Sequence, residues 1–167
     1  MKVMIMTKNV KSTFLLLICT ILTMLFFLQL FMPARIHGQS MVPTFTDGDH
    51  VLVGKFCFKN NLPHYDDLVI INFSTNKNAN QLMIKRVVGL PGDHLEFKDN
   101  KLYRNGTLLE EHYLKEEMIN QPNQNIIVLE NEAFVLGDNR NHSIDSRHFG
   151  TVNIKEQIIG KVLLKIG

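Results

Sequence analysis

Three short stretches carry the residue types that bond-breaking chemistry needs. The first is GQSMVPT, residues 38–44, where Ser40 lies among glycine, methionine and proline. A serine there is either an ordinary turn residue or a nucleophile, and a nucleophile needs a base within hydrogen-bond reach. The second is LMIKRVVG, residues 82–89, which sets Lys85 in an apolar run. Read as a strand, it turns Met83, Lys85 and Val87 to one face and Ile84, Arg86 and Val88 to the other. Burial disfavours the ammonium and lowers its pKa, by up to about 3–5 units in extreme cases. A neutral amine at about pH 8 could then take the proton of a serine hydroxyl. A lysine that snorkels its head group to water is the competing reading. His37, His50, His64, His94, His112, His142 and His148 are alternative bases that sequence spacing does not exclude. None of them has a metal-ligand spacing such as H-E-x-x-H.

The third stretch is GDNRNHSIDSRHFG, residues 137–150. It gathers Asp138, Arg140, Asp145 and Arg147 among small polar residues, as a surface loop also would. On an extended chain, residues two apart face the same side. Asp145 and Arg147 could therefore pair, stiffen the loop and position its serines.

These residues need elements to hold them. Phe14 to Met32 is a run of nineteen residues without a charge. As a helix it would be about 28 Å long, enough for one membrane crossing. Lys2, Lys8 and Lys11 precede it and the next charge is Arg35. The positive-inside rule then makes residues 1–13 cytoplasmic, 14–32 a transmembrane anchor, and 33–167 an extracytoplasmic domain. A cleavable signal peptide is the rival, but its apolar core is usually about 7–15 residues. The small-x-small pair is also missing, since Ala34 has Met32 two places before it. A buried core helix is the plainer alternative, against which stands the uninterrupted apolar run.

Beyond the anchor the pattern changes to period two. Residues 50–56, 67–73, 82–89, 94–99, 101–109, 125–130, 133–138 and 158–166 read as short strands rich in Val, Ile, Leu and Phe. RNGT (104–107) is an Asn-Gly hairpin signal and GLPGD (89–93) a Pro-Gly turn. TNKNANQ (75–81) reads as a mobile loop, and 108–125 as an irregular loop or a short helical turn. The fold class is mainly β, a compact barrel or pair of packed sheets following one helix.

The bulk numbers set bounds. A formal net charge of +2 without a basic block argues against a nucleic-acid partner. Cys19 lies in the apolar run and Cys57 far outside it, so no disulfide framework is expected. Cys57 reads as a packing residue between aromatics. NGT (105–107) and NHS (141–143) fit the N-glycosylation pattern, but chance is the simpler account.

Together the three stretches resemble the serine box (GQSMVPT), the lysine box (KRVVGLPGD, 85–93) and the third box (GDNRNHSIDSR, 137–147) of type I signal peptidases. Their order, spacing and preceding anchor agree with the small enzymes of Gram-positive bacteria. With 43 residues between the second and third boxes, the larger inserted domain of other members is missing. The resemblance implies Ser40 as nucleophile and Lys85 as general base. It implies Ser143 as the serine that orients the lysine, Asp145 with Arg147 as a structural ion pair, and Asp138 with Arg86 as a second one. Met41 and Pro43 match residues that shape the serine turn. Gly38 stands where some members carry a serine that helps hold the oxyanion, so backbone N–H groups, notably that of Ser40, would take that task.

The implied reaction is cleavage of preprotein signal peptides after small residues, Ala-x-Ala, through a Ser40 ester. The substrate would add as an extended strand near the serine box and residues 82–85. No metal or nucleotide cofactor is needed. The implied partners are signal peptides emerging from the secretion machinery and the lipid bilayer, and the enzyme would be a monomer. Ser40 follows Met32 by eight positions, at most about 28 Å of extended chain, which tethers the nucleophile near the membrane face. Three other readings compete. A catalytically silent relative would have lost Ser40 or Lys85. An anchored β-rich module would carry the boxes by accident. A self-cleaving Ser–Lys repressor would have a DNA-binding segment in place of the anchor.

Overall fold

The computed structural model describes residues 3–58, 61–73 and 81–166, with side chains from residue 10 onward. Helix α1 (Val3–Leu30) leads directly into strand β1 (Phe31–Arg35). Its span Val10–Leu30, 21 residues, is long and apolar enough to cross a membrane. Its apolar side chains are exposed on every side, among them Phe14, Leu16, Leu22, Met24 and Phe26. A helix apolar all round needs either a protein core or lipid around it, and the β domain does not cover this one. Two of its threonines are satisfied within the helix: Thr20 donates to the Leu17 carbonyl at 2.8 Å and Thr23 to that of Cys19 at 2.8 Å. That arrangement suits an apolar surrounding, where an unpaired hydroxyl is costly.

The helix stops two residues before the apolar run does. Phe31 and Met32 pair with Gly54 and Val53 of strand β2 (His50–Gly54). Hydropathy alone does not separate the end of an apolar helix from an apolar strand. Lys55 closes the helix end: its N–H donates to the Leu30 carbonyl at 2.8 Å and its Nζ to that of Leu28 at 3.1 Å. Cationic donors at a helix C-terminus satisfy orphan carbonyls and complement the dipole. Phe31 stacks on Phe27 at 4.4 Å and meets the edge of Phe56 at 5.6 Å.

The remaining strands are β3 (Leu68–Phe73), β4 (Gln81–Gly89), β5 (His94–Lys98), β6 (Lys101–Arg104), β7 (Thr107–Leu108), β8 (Gln124–Ile127), β9 (Glu132–Leu136), β10 (Val152–Asn153) and β11 (Ile158–Ile166). Helix α2 (Ser146–Phe149) is a single turn. The strands form two sheets, in the orders β1-β2-β11-β3-β4-β9-β10 and β7-β6-β5-β8. Every neighbouring pair is antiparallel. The mainly-β expectation holds, and each segment read as a strand contains one. β1 and β10 were not read as strands: β1 begins inside the apolar run and β10 has only two residues. The Asn-Gly turn joins β6 to β7, with Asn105 and Gly106 both at positive φ. Residues 109–123 are irregular, without a helix. Of the loop expected at 75–81, residues 75–80 lie outside the described residues, and Gln81 begins β4.

Strand β4 is the keystone of the core. From Ile84 to Gly89 every residue is buried. Val87 packs with Val69, Ile71 and Val135, Ile84 with Val53, Ile70 and Met41, and Val88 with Leu95, Phe97 and Leu136. With apolar packing on both faces, each such side chain contributes about 1.5–3 kcal/mol. That rigidity fixes whatever polar residue the strand carries.

Candidate active site

Lys85 lies in the middle of this strand, 2% exposed. Its Nζ and the Ser40 Oγ are 2.9 Å apart. The two residues meet from 45 positions apart along the chain, because Ser40 opens the turn that follows β1 while β4 holds the amine. Burial lowers the Lys85 pKa from 10.5 to about 8; Asp145 and Asp138 oppose the shift and Arg147 adds to it. The amine is therefore substantially neutral at mildly alkaline pH and in contact with a hydroxyl, the pairing that activates a serine.

The serine turn is held from three sides. Met41 is buried among Ile36, Phe45 and Val51. Gly38 has φ +92°, a conformation that glycine adopts far more readily than serine would. Its N–H donates to Asp47 Oδ1 at 2.8 Å, so it is not available to an oxyanion. Pro43 follows a cis peptide bond. From the third box, the Asn139 N–H donates to the Ser40 carbonyl at 3.0 Å and Asn139 Nδ2 to that of Gln39 at 3.0 Å. Gly137 permits that approach, since a Cβ there would stand 2.5 Å from the Ser40 carbonyl oxygen and also collide with Ser143 Oγ.

Both ion pairs named from the sequence are formed. Arg86 grips Asp138 through Nε at 2.8 Å and Nη2 at 2.7 Å. Thr44 of the serine turn donates its hydroxyl to the same carboxylate. Asp145 accepts from Arg147 Nε at 2.8 Å and Nη2 at 2.9 Å. The extended-chain argument for this second pair is replaced by a better one: Asp145 is the N-cap of α2 and Arg147 lies in its first turn. Asp145 also accepts the Gly137 N–H at 3.1 Å. Burial raises the Asp145 pKa, but Arg147, the Gly137 N–H and the nearby Ser143 hydroxyl together hold it below the usual carboxylate range.

Ser143 is buried beside Gly137, yet no well-formed hydrogen bond involves its Oγ, to Lys85 or to any other described residue. Asn139, Thr44 and Gly137 escaped the residue-by-residue reading, although all three lie within the boxes themselves. A cleft of about 430 Å³ opens in front of Ser40 and Lys85. Met32, Ala34, Ile36, Ile70, Leu82 and Ile84 give it apolar walls, and His142 and Ile144 also line it.

A mainly β fold behind an apolar helix sets a serine against a buried lysine at an apolar cleft, an arrangement suited to a hydrolase. The family comparison makes this specific. Residues 6–166 match the model of "Signal peptidase, peptidase S26", and the chain belongs to that family of enzymes, which remove signal peptides from preproteins. It is 34% identical over 145 residues to signal peptidase I V of Bacillus subtilis, covering 79% of this chain and 83% of that protein. To signal peptidase I of Bacillus caldolyticus it is 35% identical over 158 residues, covering 87% and 83%. A crystal structure of a signal peptidase I from Enterococcus faecalis superposes with a TM-score of 0.51 at 32% identity, over 62% of this chain and 98% of that one.

Proposed function

We propose that this protein is a membrane-anchored endopeptidase that cuts preproteins after Ala-x-Ala sites by a Ser40–Lys85 mechanism. The observation that carries the reading is the 2.9 Å approach of a buried Lys85 Nζ to Ser40 Oγ. Ser40 Oγ attacks the scissile carbonyl carbon while Lys85 takes its proton. The oxyanion collapses to a Ser40 ester, and the departing amine receives the proton from Lys85. Lys85 then takes a proton from water, whose oxygen attacks the ester carbonyl carbon; the second oxyanion collapses to the free carboxyl product, and Ser40 Oγ leaves with the proton returned by Lys85. Among the described residues, none of the hydrogen bonds that close the serine turn uses the Ser40 N–H, which suits that group to face the oxyanion. No cofactor enters these steps.

The apolar cleft supports binding of an extended substrate segment along β4, with small side chains preferred where its walls are close. The N-terminal lysines support an orientation with the N-terminus in the cytoplasm and the β domain outside. The domain division, with an anchor followed by a peptidase domain, and a monomeric enzyme belong to the same proposal. Its test is cleavage of a purified Ala-x-Ala preprotein by wild type and Ser40→Ala in detergent or liposomes. Cleavage after the second alanine by wild type alone is expected. If neither cuts any of several preproteins while both remain folded, the reading fails and a silent, preprotein-binding relative takes its place.

A further inference from the structure

The irregular segment 109–123 connects β7 to β8 and is far in sequence from Ser40 and Lys85. Its polar side chains nevertheless end on the arginines around the site. Glu111 forms a two-pronged pair with Arg140, at 2.5 Å to Nη2 and 2.8 Å to Nη1. Both side chains are almost completely buried, 0% exposed for Arg140 and 6% for Glu111. Arg140 Nε in turn donates to the Gly137 carbonyl at 3.1 Å. Gly137 is the residue packed against the Ser40 carbonyl, and its N–H is bound by Asp145. Tyr113 donates its hydroxyl to Glu111 at 2.6 Å, and its ring lies 3.9 Å from the guanidinium carbon of Arg86, the partner of Asp138.

A buried, two-pronged carboxylate–guanidinium pair has a narrow geometry and is costly to leave half-made. Glu111 therefore fixes where Arg140 stands, Arg140 fixes the Gly137 carbonyl, and Tyr113 backs the Arg86–Asp138 pair against the serine turn. We infer that Glu111, with Tyr113, is a positioning residue for the reaction, acting through Arg140 and Gly137 on the Ser40–Lys85 pair. The inference rests on the Ser–Lys reading above. It gives segment 109–123 a task at the back of the site, away from the cleft that would take the substrate.

The test is steady-state cleavage of an Ala-x-Ala preprotein by the full-length protein in detergent, below each variant's melting temperature. Glu111→Gln, which keeps the shape and removes the charge, is expected to lower kcat about tenfold with KM changed less than about twofold. Glu111→Asp, which keeps the charge, is expected to recover part of kcat. Tyr113→Phe removes one hydroxyl and is expected to lower kcat about threefold; it decides the matter if Glu111→Gln does not fold. Wild-type kcat in Glu111→Gln, or in Tyr113→Phe where that variant decides, overturns the inference. So does a rise in KM at unchanged kcat, which would make the segment a substrate contact. Ser40→Ala and Lys85→Ala are measured alongside. Cleavage surviving in either removes the pair that Glu111 would position, whereas inactive Ser40 and Lys85 variants with a wild-type Glu111→Gln overturn the positioning role alone.

Discussion

Replacing Lys85 by methionine should make this protein inactive and more stable at neutral pH. The pKa of Lys85 falls from 10.5 to about 8 through burial, and the side chain is 2% exposed. At about 1.4 kcal/mol per unit, folding with a protonated lysine in that place costs roughly 3 kcal/mol. The hydrogen bond to Ser40 gives back about 1 kcal/mol. Methionine keeps the length and most of the volume without the charge, so Lys85→Met is expected to gain about 2 kcal/mol at pH 7. The gain must depend on pH in one direction. Because the folded-state pKa is the lower one, the unfolded chain holds the extra proton between about pH 8 and pH 10.5. Through that window the wild type gains stability as pH rises and the variant does not. The variant's advantage is therefore full below about pH 8, gone by about pH 9.5 and reversed, by about 1 kcal/mol, at about pH 10.5.

Thermal unfolding followed by circular dichroism in detergent, from pH 7 to 10.5, measures this difference and cancels groups common to both proteins. For a chain of this length about 2–4 °C accompanies each kcal/mol, so the variant should melt about 4–8 °C higher at pH 7. A variant that melts below the wild type at pH 7 would refute the desolvation argument. So would a gap that stays constant across the whole range, which would assign the difference to packing of the lysine stem.

The remaining predictions concern rate. Cleavage by the wild type should rise with pH along a limb centred at about 8, as Lys85 loses its proton, and a flat profile from pH 6 to 10 would exclude a lysine base. Gly137→Ala places a methyl group 2.5 Å from the Ser40 carbonyl oxygen, so kcat should fall at least about a hundredfold while circular dichroism still reports the β fold. Wild-type kcat in that variant would mean that the serine turn does not depend on this contact. Ser143→Ala should lower kcat without abolishing cleavage, because Ser143 is buried against Gly137, which packs on the Ser40 carbonyl; complete inactivation of a folded variant would give Ser143 a larger part.

The features legible in the sequence are those that the chain determines locally. Ser40, Lys85 and the Asp145–Arg147 pair stand in short stretches whose turn residues or strand alternation set their surroundings. Lys85 is conspicuous because its neighbours on the same face of LMIKRVVG are Met83 and Val87, while Arg86 lies on the opposite face. Phe31 and Met32 were read as anchor because apolarity has no signature that distinguishes the last turn of a helix from the first residues of a strand; the pairing with β2, about 20 positions on, makes that choice. Glu111 and Tyr113 had no legible signal at all. The segment that carries them has no period, and their partners Arg140 and Arg86 lie 29 and 27 positions away. The same distances explain why such residues matter. A reacting pair drawn from β4 and from a turn after β1 cannot be fixed by either stretch alone. The third box supplies the fixing, through Asn139 on the Ser40 carbonyl and Asp138 on Arg86, and it is itself held by a buried carboxylate from a loop with no regular structure.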